Sequence, residues 1–151
     1  MRTLTVPNSF FEQAAESLRA GRTVRMRALG DSMYPFIRGG KDEILLVPFL
    51  AGTDELPLWG AAFYQWKGHY MVHRLIRREG DALVFLGDGN VYQEEKVLPD
   101  EVYGILKTIY RNGQEIDCLQ EQWQKKGARW YRLLFIRKYL LFLFKRCGLF
   151  R

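Results

Sequence analysis

The dipeptide Asn112-Gly113 is the feature that most constrains the fold. It sits between two runs of strand-forming residues, 102–110 and 115–118. Asn-Gly tolerates the positive φ that a two-residue hairpin turn demands, so this stretch is predicted as a β-hairpin. Lys67-Gly68, between 61–66 and 70–76, reads the same way. Gly80-Asp81 leads into a further strand at 82–86. Residues 23–29 alternate, with Val24, Met26 and Ala28 on one face and Arg25 and Arg27 on the other. The apolar run at 43–49 carries a proline near its end, which suits an edge strand. Short strands in meander order predict a mostly-β, barrel-like domain over residues 1–119.

Helical spacing appears at the two ends. Phe10, Phe11, Ala14, Ala15 and Leu18 form one apolar face of a helix predicted over 8–20, capped by Asn8 or Ser9 and ended by Gly21. Residues 120–150 are predicted as a hydrophobic, basic C-terminal helix within a tail spanning 120–151. Residues 139–144 are apolar on every side, so this helix has to be covered. It either docks on its own domain or contacts a membrane surface or membrane protein.

Charge separates the same two parts. Nine of the 23 Lys and Arg residues fall between Lys125 and Arg151, where there is no acid; the other 14 face all 17 acids, a net charge of −3. The main domain therefore lacks the basic face that nucleic-acid binding needs, and no nucleic acid is expected as a partner. Cys118 and Cys147 have neither metal nor redox spacing. The N-terminal stretch has no apolar core and carries Glu12 and Glu16, so it does not read as a signal peptide. No run reaches the ~18 apolar residues of a membrane span. These readings lead to a peripheral membrane or cytoplasmic protein.

The residues that suggest chemistry lie in three short boxes. GDSMYPF opens the first, at 30–36. Asp-Ser ahead of proline is compatible with turn chemistry alone. As a nucleophile, Ser32 needs a base, because a serine hydroxyl at its own pKa attacks poorly. The two histidines, His69 and His73, lie four apart on one predicted strand and share a face. No Cys or acid stands near them at ligand spacing, so no metal and no cofactor is expected. Gly87-Asp88-Gly89-Asn90 then forms a tight turn, with a carboxylate that serves either the turn or an imidazole.

In order, GDSMYPFIRGG (30–40), YMVHRLI (70–76) and FLGDGN (85–90) resemble the boxes of the S24/S26 serine peptidase class, which includes type I signal peptidases and self-cleaving repressor domains. The resemblance covers residues 22–106. It implies a signal-peptidase/LexA-like β-barrel-type fold and a serine endopeptidase that cuts leader or signal segments. His73 stands where most bacterial members carry a lysine, so the sequence is similar to the histidine branch. Histidine starts near ~6.5 and needs little pKa adjustment to act as a base at neutral pH, whereas lysine needs several units.

By this resemblance the catalytic residues are Ser32 and His73, with Asp88 or Glu94 orienting the imidazole. Met33, Pro35, Arg74 and Asn90 fall at substrate-binding positions. The Ser32 N–H contributes to an oxyanion hole, Pro35 stiffens the nucleophile turn, and an extended peptide pairs with the edge at 24–29. The sequence departs from the pattern at Glu94, where an aspartate is usual, at Gly60-Ala61, where Gly-Asp is usual, and in lacking an N-terminal anchor. Two other readings stay open. One is a non-catalytic peptide-binding module. The other is a self-cleaving regulator cut at Ala20-Gly21, for which only 31 residues precede Ser32.

Overall fold

The computed structural model describes residues 8–148. The chain is mostly β: a curled antiparallel half-barrel sheet with three α-helices. Helix α1 is Asn8–Arg19, with Ala14, Ala15 and Leu18 buried as the apolar spacing predicts. The strands are β1 (Val24–Arg27), β2 (Glu43–Pro48), β3 (Ala61–Trp66), β4 (His69–Glu79), β5 (Ala82–Leu86), β6 (Glu94–Val97), β7 (Val102–Arg111) and β8 (Gln114–Asp117). Their order is β1-β2-β7-β3-β4-β5-β6, and β8 pairs with β7.

Both predicted two-residue turns form. Lys67 and Gly68 have φ of 48° and 78°, and Asn112 and Gly113 of 52° and 75°. Positive φ at both central positions gives the twist that joins adjacent antiparallel strands. Strand β4 runs on to Glu79, beyond the predicted end at 76, and a register irregularity between Leu75 and Arg77 bends it against β5. Strand β6 was not anticipated. Three of its four residues are charged, which hides a strand whose burial nonetheless alternates.

The sheet buries side chains on both faces. One cluster joins Leu18 of α1 to Met26, Ile44, Phe63, Leu106 and Trp123. The other joins Phe49, Tyr64, Leu75, Phe85, Val102 and Ile105. Phe63 and Tyr64 are adjacent in β3 and enter opposite clusters, as the two-residue period of a strand requires.

The segment predicted as one helix over 120–150 is two helices, α2 (Glu121–Arg132) and α3 (Arg137–Cys147), with residues 149 and 150 outside the described part. The break falls at Leu133, which caps α2 with φ −90° and ψ 15°. Both helices are docked. Trp123 and Trp130 of α2 and Leu141 of α3 are buried against the domain. Among the described residues no helix is long and apolar enough to cross a membrane.

Candidate active site

Ser32 sits in a loop of turns between β1 and β2. The loop is closed at its base by hydrogen bonds from Ala28 N–H to the Asp42 carbonyl (2.9 Å) and from Gly40 N–H to the Ala28 carbonyl (2.7 Å). Asp42 anchors it further. Its buried carboxylate accepts the Arg38 N–H at 2.7 Å and pairs with Arg111 of β7 at 2.6 Å, while Arg111 also donates to the Phe36 carbonyl. Ser32 is therefore presented by a turn fixed to two strands.

His73 comes from β4, opposite Ala62 of β3. It and Ser32 line the same cavity, of about 360 Å³, which Met26, Ile44, Met33 and Asn90 also line. Histidine 69 is exposed at the start of β4 and takes no part in this cavity.

Glu95 orients His73. Its Oε1 lies 2.6 Å from His73 Nδ1, with the Glu95 side chain fully buried. The Tyr64 hydroxyl is 3.1 Å from the same nitrogen. Burial, and then the neighbouring Glu95 carboxylate, push the Tyr64 phenol pKa well above its ordinary value, so it stays neutral. With Nδ1–H donating to the carboxylate, Nε2 is left to accept a proton from the cleft.

This corrects the expectation that Asp88 or Glu94 holds the imidazole. Glu94 points out of the sheet and pairs with Arg77 at 2.5 Å and with exposed surroundings. It is one residue out of register, and a strand turns neighbouring side chains to opposite faces. Asp88 is engaged elsewhere. Its two oxygens accept from Nε and Nη2 of Arg74, each at 2.8 Å, in a bidentate pair with both side chains buried.

Arg74 is likewise not placed to bind substrate. It follows His73 in β4 and points to the other face. There it donates to the Trp59 carbonyl at 2.6 Å and lies over the rings of Phe36 and Trp123. A Cβ on Gly127 of α2 would come within 2.2 Å of Nη1, so helix and guanidinium meet only because that residue is glycine. Pro35 lines a separate groove under α2 and α3 and not the Ser32 cavity. Met33 does line the cavity, and its sulfur accepts the Asp88 N–H at 3.5 Å. Asn90 lines it too.

The Gly87–Asn90 turn packs directly on the Ser32 loop. Gly89 N–H donates to the Ser32 carbonyl at 2.9 Å. A Cβ on Gly87 would sit 2.4 Å from that carbonyl oxygen and 3.0 Å from His73 Nε2. Gly87 thus keeps open the space between the serine loop and the imidazole. From the other side the turn is held by the C-terminal helices. Trp130 Nε1 donates to the Asp88 carbonyl at 2.8 Å, and Arg137 Nη1 to the Asn90 carbonyl at 3.0 Å. Burial lowers the Arg137 pKa, against the pull of the Asp88 carboxylate. Sequence reasoning missed these two positions, together with Tyr64 and Glu95. The alternation of β6 was the available signal for Glu95.

No family model matches the chain, and no curated protein matches it.

Among the described residues no three His, Cys, Asp or Glu side chains gather as a metal site. The Ala20-Gly21 bond lies in the C-terminal cap of α1. There Ala20 N–H donates to the Glu16 carbonyl and Arg22 N–H to the Ser17 carbonyl. A peptidase cleft takes its substrate extended, so this bond is presented in the wrong conformation for cutting.

Proposed function

We propose that this protein is a serine endopeptidase of the signal or leader peptidase type, with a signal-peptidase/LexA-like fold and a Ser32–His73–Glu95 site. The observation that carries the reading is the polarity of His73: Nδ1 is tied to a buried carboxylate, and Nε2 faces the cavity that Ser32 lines. In the proposed reaction Ser32 Oγ attacks a peptide carbonyl as Nε2 takes its proton. The imidazolium, held by Glu95, returns that proton to the leaving amine, and water then releases the acyl group by the same route. The Ser32 N–H supports the developing oxyanion. Strand β1 is an edge of the sheet and also lines the cavity through Met26 and Arg27, so an extended substrate would add beside it.

The test is digestion of a mixed peptide library, read by mass spectrometry, with wild type, Ser32→Ala and His73→Ala. Cleavage by wild type alone supports the reading. Full activity in either variant sinks the Ser-His assignment. Among the described strands β1 pairs with β2 alone, and that edge favours a second reading, a peptide-binding module that does not cut. That reading predicts no cleavage and a peptide affinity indifferent to Ser32→Ala.

A further inference from the structure

Helix α3 has two dissimilar faces. Arg137 and Leu141 are buried against the domain, and Leu141 packs with Tyr34 and Trp130. The opposite face is mostly apolar and open to solvent. At about 100° per residue, Tyr139, Phe142, Leu143 and Arg146 fall on one side of the helix. Tyr139 is 61% exposed, Phe142 59% and Leu143 49%, and Phe135 just ahead of the helix is 78% exposed. Tyr92, 82% exposed, joins them across a shallow depression of about 510 Å³ that Arg132, Phe135, Lys138 and Tyr139 also line. Aromatic side chains dominate this surface and cations rim it. Lys138 lies over the Tyr139 ring and Arg146 over Phe142.

Charge selects the occupant. From Lys125 onward the sequence contains no acid. The Asp31 carboxylate nearby lies 3.7 Å from Lys145. A second copy of the chain meeting this face through a two-fold axis would set Arg132, Lys138 and Arg146 against their own kind, which disfavours such a dimer. Aromatic residues that sit at a headgroup boundary, rimmed by Lys and Arg, are the composition of a helix lying in an anionic interface.

We propose that the outward face of α3, with Phe135 and Tyr92, docks this protein on an anionic lipid bilayer. The inference stands apart from the peptide-bond chemistry and holds whether or not Ser32 cuts. It also has a geometric consequence. Tyr92 is two residues along the chain from Asn90, which lines the Ser32 cavity, so the docking face and the cleft are joined by one short loop.

The test is flotation of the full chain with vesicles of phosphatidylcholine alone and with an equimolar mixture of phosphatidylcholine and phosphatidylglycerol. Wild type should bind the anionic vesicles at least ~10-fold more tightly and be released by high salt. Two double variants, Lys138→Glu with Arg146→Glu and Tyr139→Ser with Phe142→Ser, should each weaken binding about 10-fold or more while leaving the thermal midpoint unchanged. Equal binding to both vesicle types, no binding to either, or wild-type binding by both variants overturns the proposal. So does a dimer in sedimentation velocity that Phe142→Ser dissolves, in the absence of vesicle binding. The salt dependence of wild type decides the matter even where a variant fails to fold.

Discussion

Glu95 Oε1 stands 2.6 Å from His73 Nδ1, while its neighbour Glu94 lies on the outer face of the same strand, paired with Arg77. One residue of register separates a carboxylate that can stabilise an imidazolium from one that cannot. On the peptidase reading, Glu95→Gln should lower kcat by about a hundredfold or more, because an amide no longer fixes the tautomer or balances the charge. Glu94→Gln should stay within about twofold of wild type. Steady-state kinetics on one cleaved peptide compare the two, and a reversed ranking rejects the orientation.

Gly87→Ala should separate fold from activity. The new Cβ meets the Ser32 carbonyl and His73 Nε2, so the two loops have to part. Overpacking of this kind costs about 1–3 kcal/mol of stability, and on the peptidase reading cleavage should fall much further than the melting point suggests. Thermal denaturation alongside kinetics reads both, and undiminished cleavage would mean that the loops separate without harm.

Arg74→Ala should be among the most destabilising single changes. It leaves the Asp88 carboxylate buried without its partner, a loss of about 3–5 kcal/mol for pairs of this kind. Urea denaturation measures it. The double variant Arg74→Met with Asp88→Leu should recover part of the loss, since it removes both charges together.

The two thiols should differ in reactivity. Cys118 is buried, and that burial pushes its pKa up to about 12, whereas Cys147 is exposed. A raised thiol pKa contributes stability below the ordinary thiol range and loses it as pH climbs toward the folded value. At mildly alkaline pH a thiol reagent should therefore label Cys147 quickly and Cys118 only on unfolding. Mass spectrometry of the labelled peptides shows whether one site or both react.

Hydrogen bonding to Arg77 holds the Glu94 carboxyl below its usual range, with its partial burial working the other way. The contribution of this exposed pair is present above the unfolded carboxylate value and is lost as pH falls through the depressed folded one. Wild type should exceed Arg77→Ala by less than about 1 kcal/mol at neutral pH. That gap should close in acid, below about pH 4. A gap that widened on acidification would contradict the pairing.

The sheet was legible where local chemistry and long-range packing agree. Asn112-Gly113 and Lys67-Gly68 need positive φ, and few alternatives suit them. Ser32, His73 and Asn90, from three separate stretches of the sequence, line one cavity. Glu95 was hidden because Glu-Glu-Lys-Val looks like solvated loop, although Glu95 and Val97 keep the alternation of a half-buried strand. Asp88 misled for a different reason. A carboxylate in a glycine turn beside a histidine strand suits two partners equally well. Only the facing of β4, which sends His73 and Arg74 to opposite sides, chooses between them. The tail read as one helix because no proline or glycine marks the break at Leu133; the turn there comes from docking, not from local preference.

The grip of Trp130 and Arg137 on the Gly87–Asn90 turn bears on when the site comes into being. Synthesis delivers Ser32, His73 and Glu95 well before α2 and α3. Until those helices leave the ribosome and dock, the turn that touches both the serine loop and the imidazole lacks two of its anchors. In chain order, then, the strands that carry the cleft are made before the two helices that hold the Gly87–Asn90 turn.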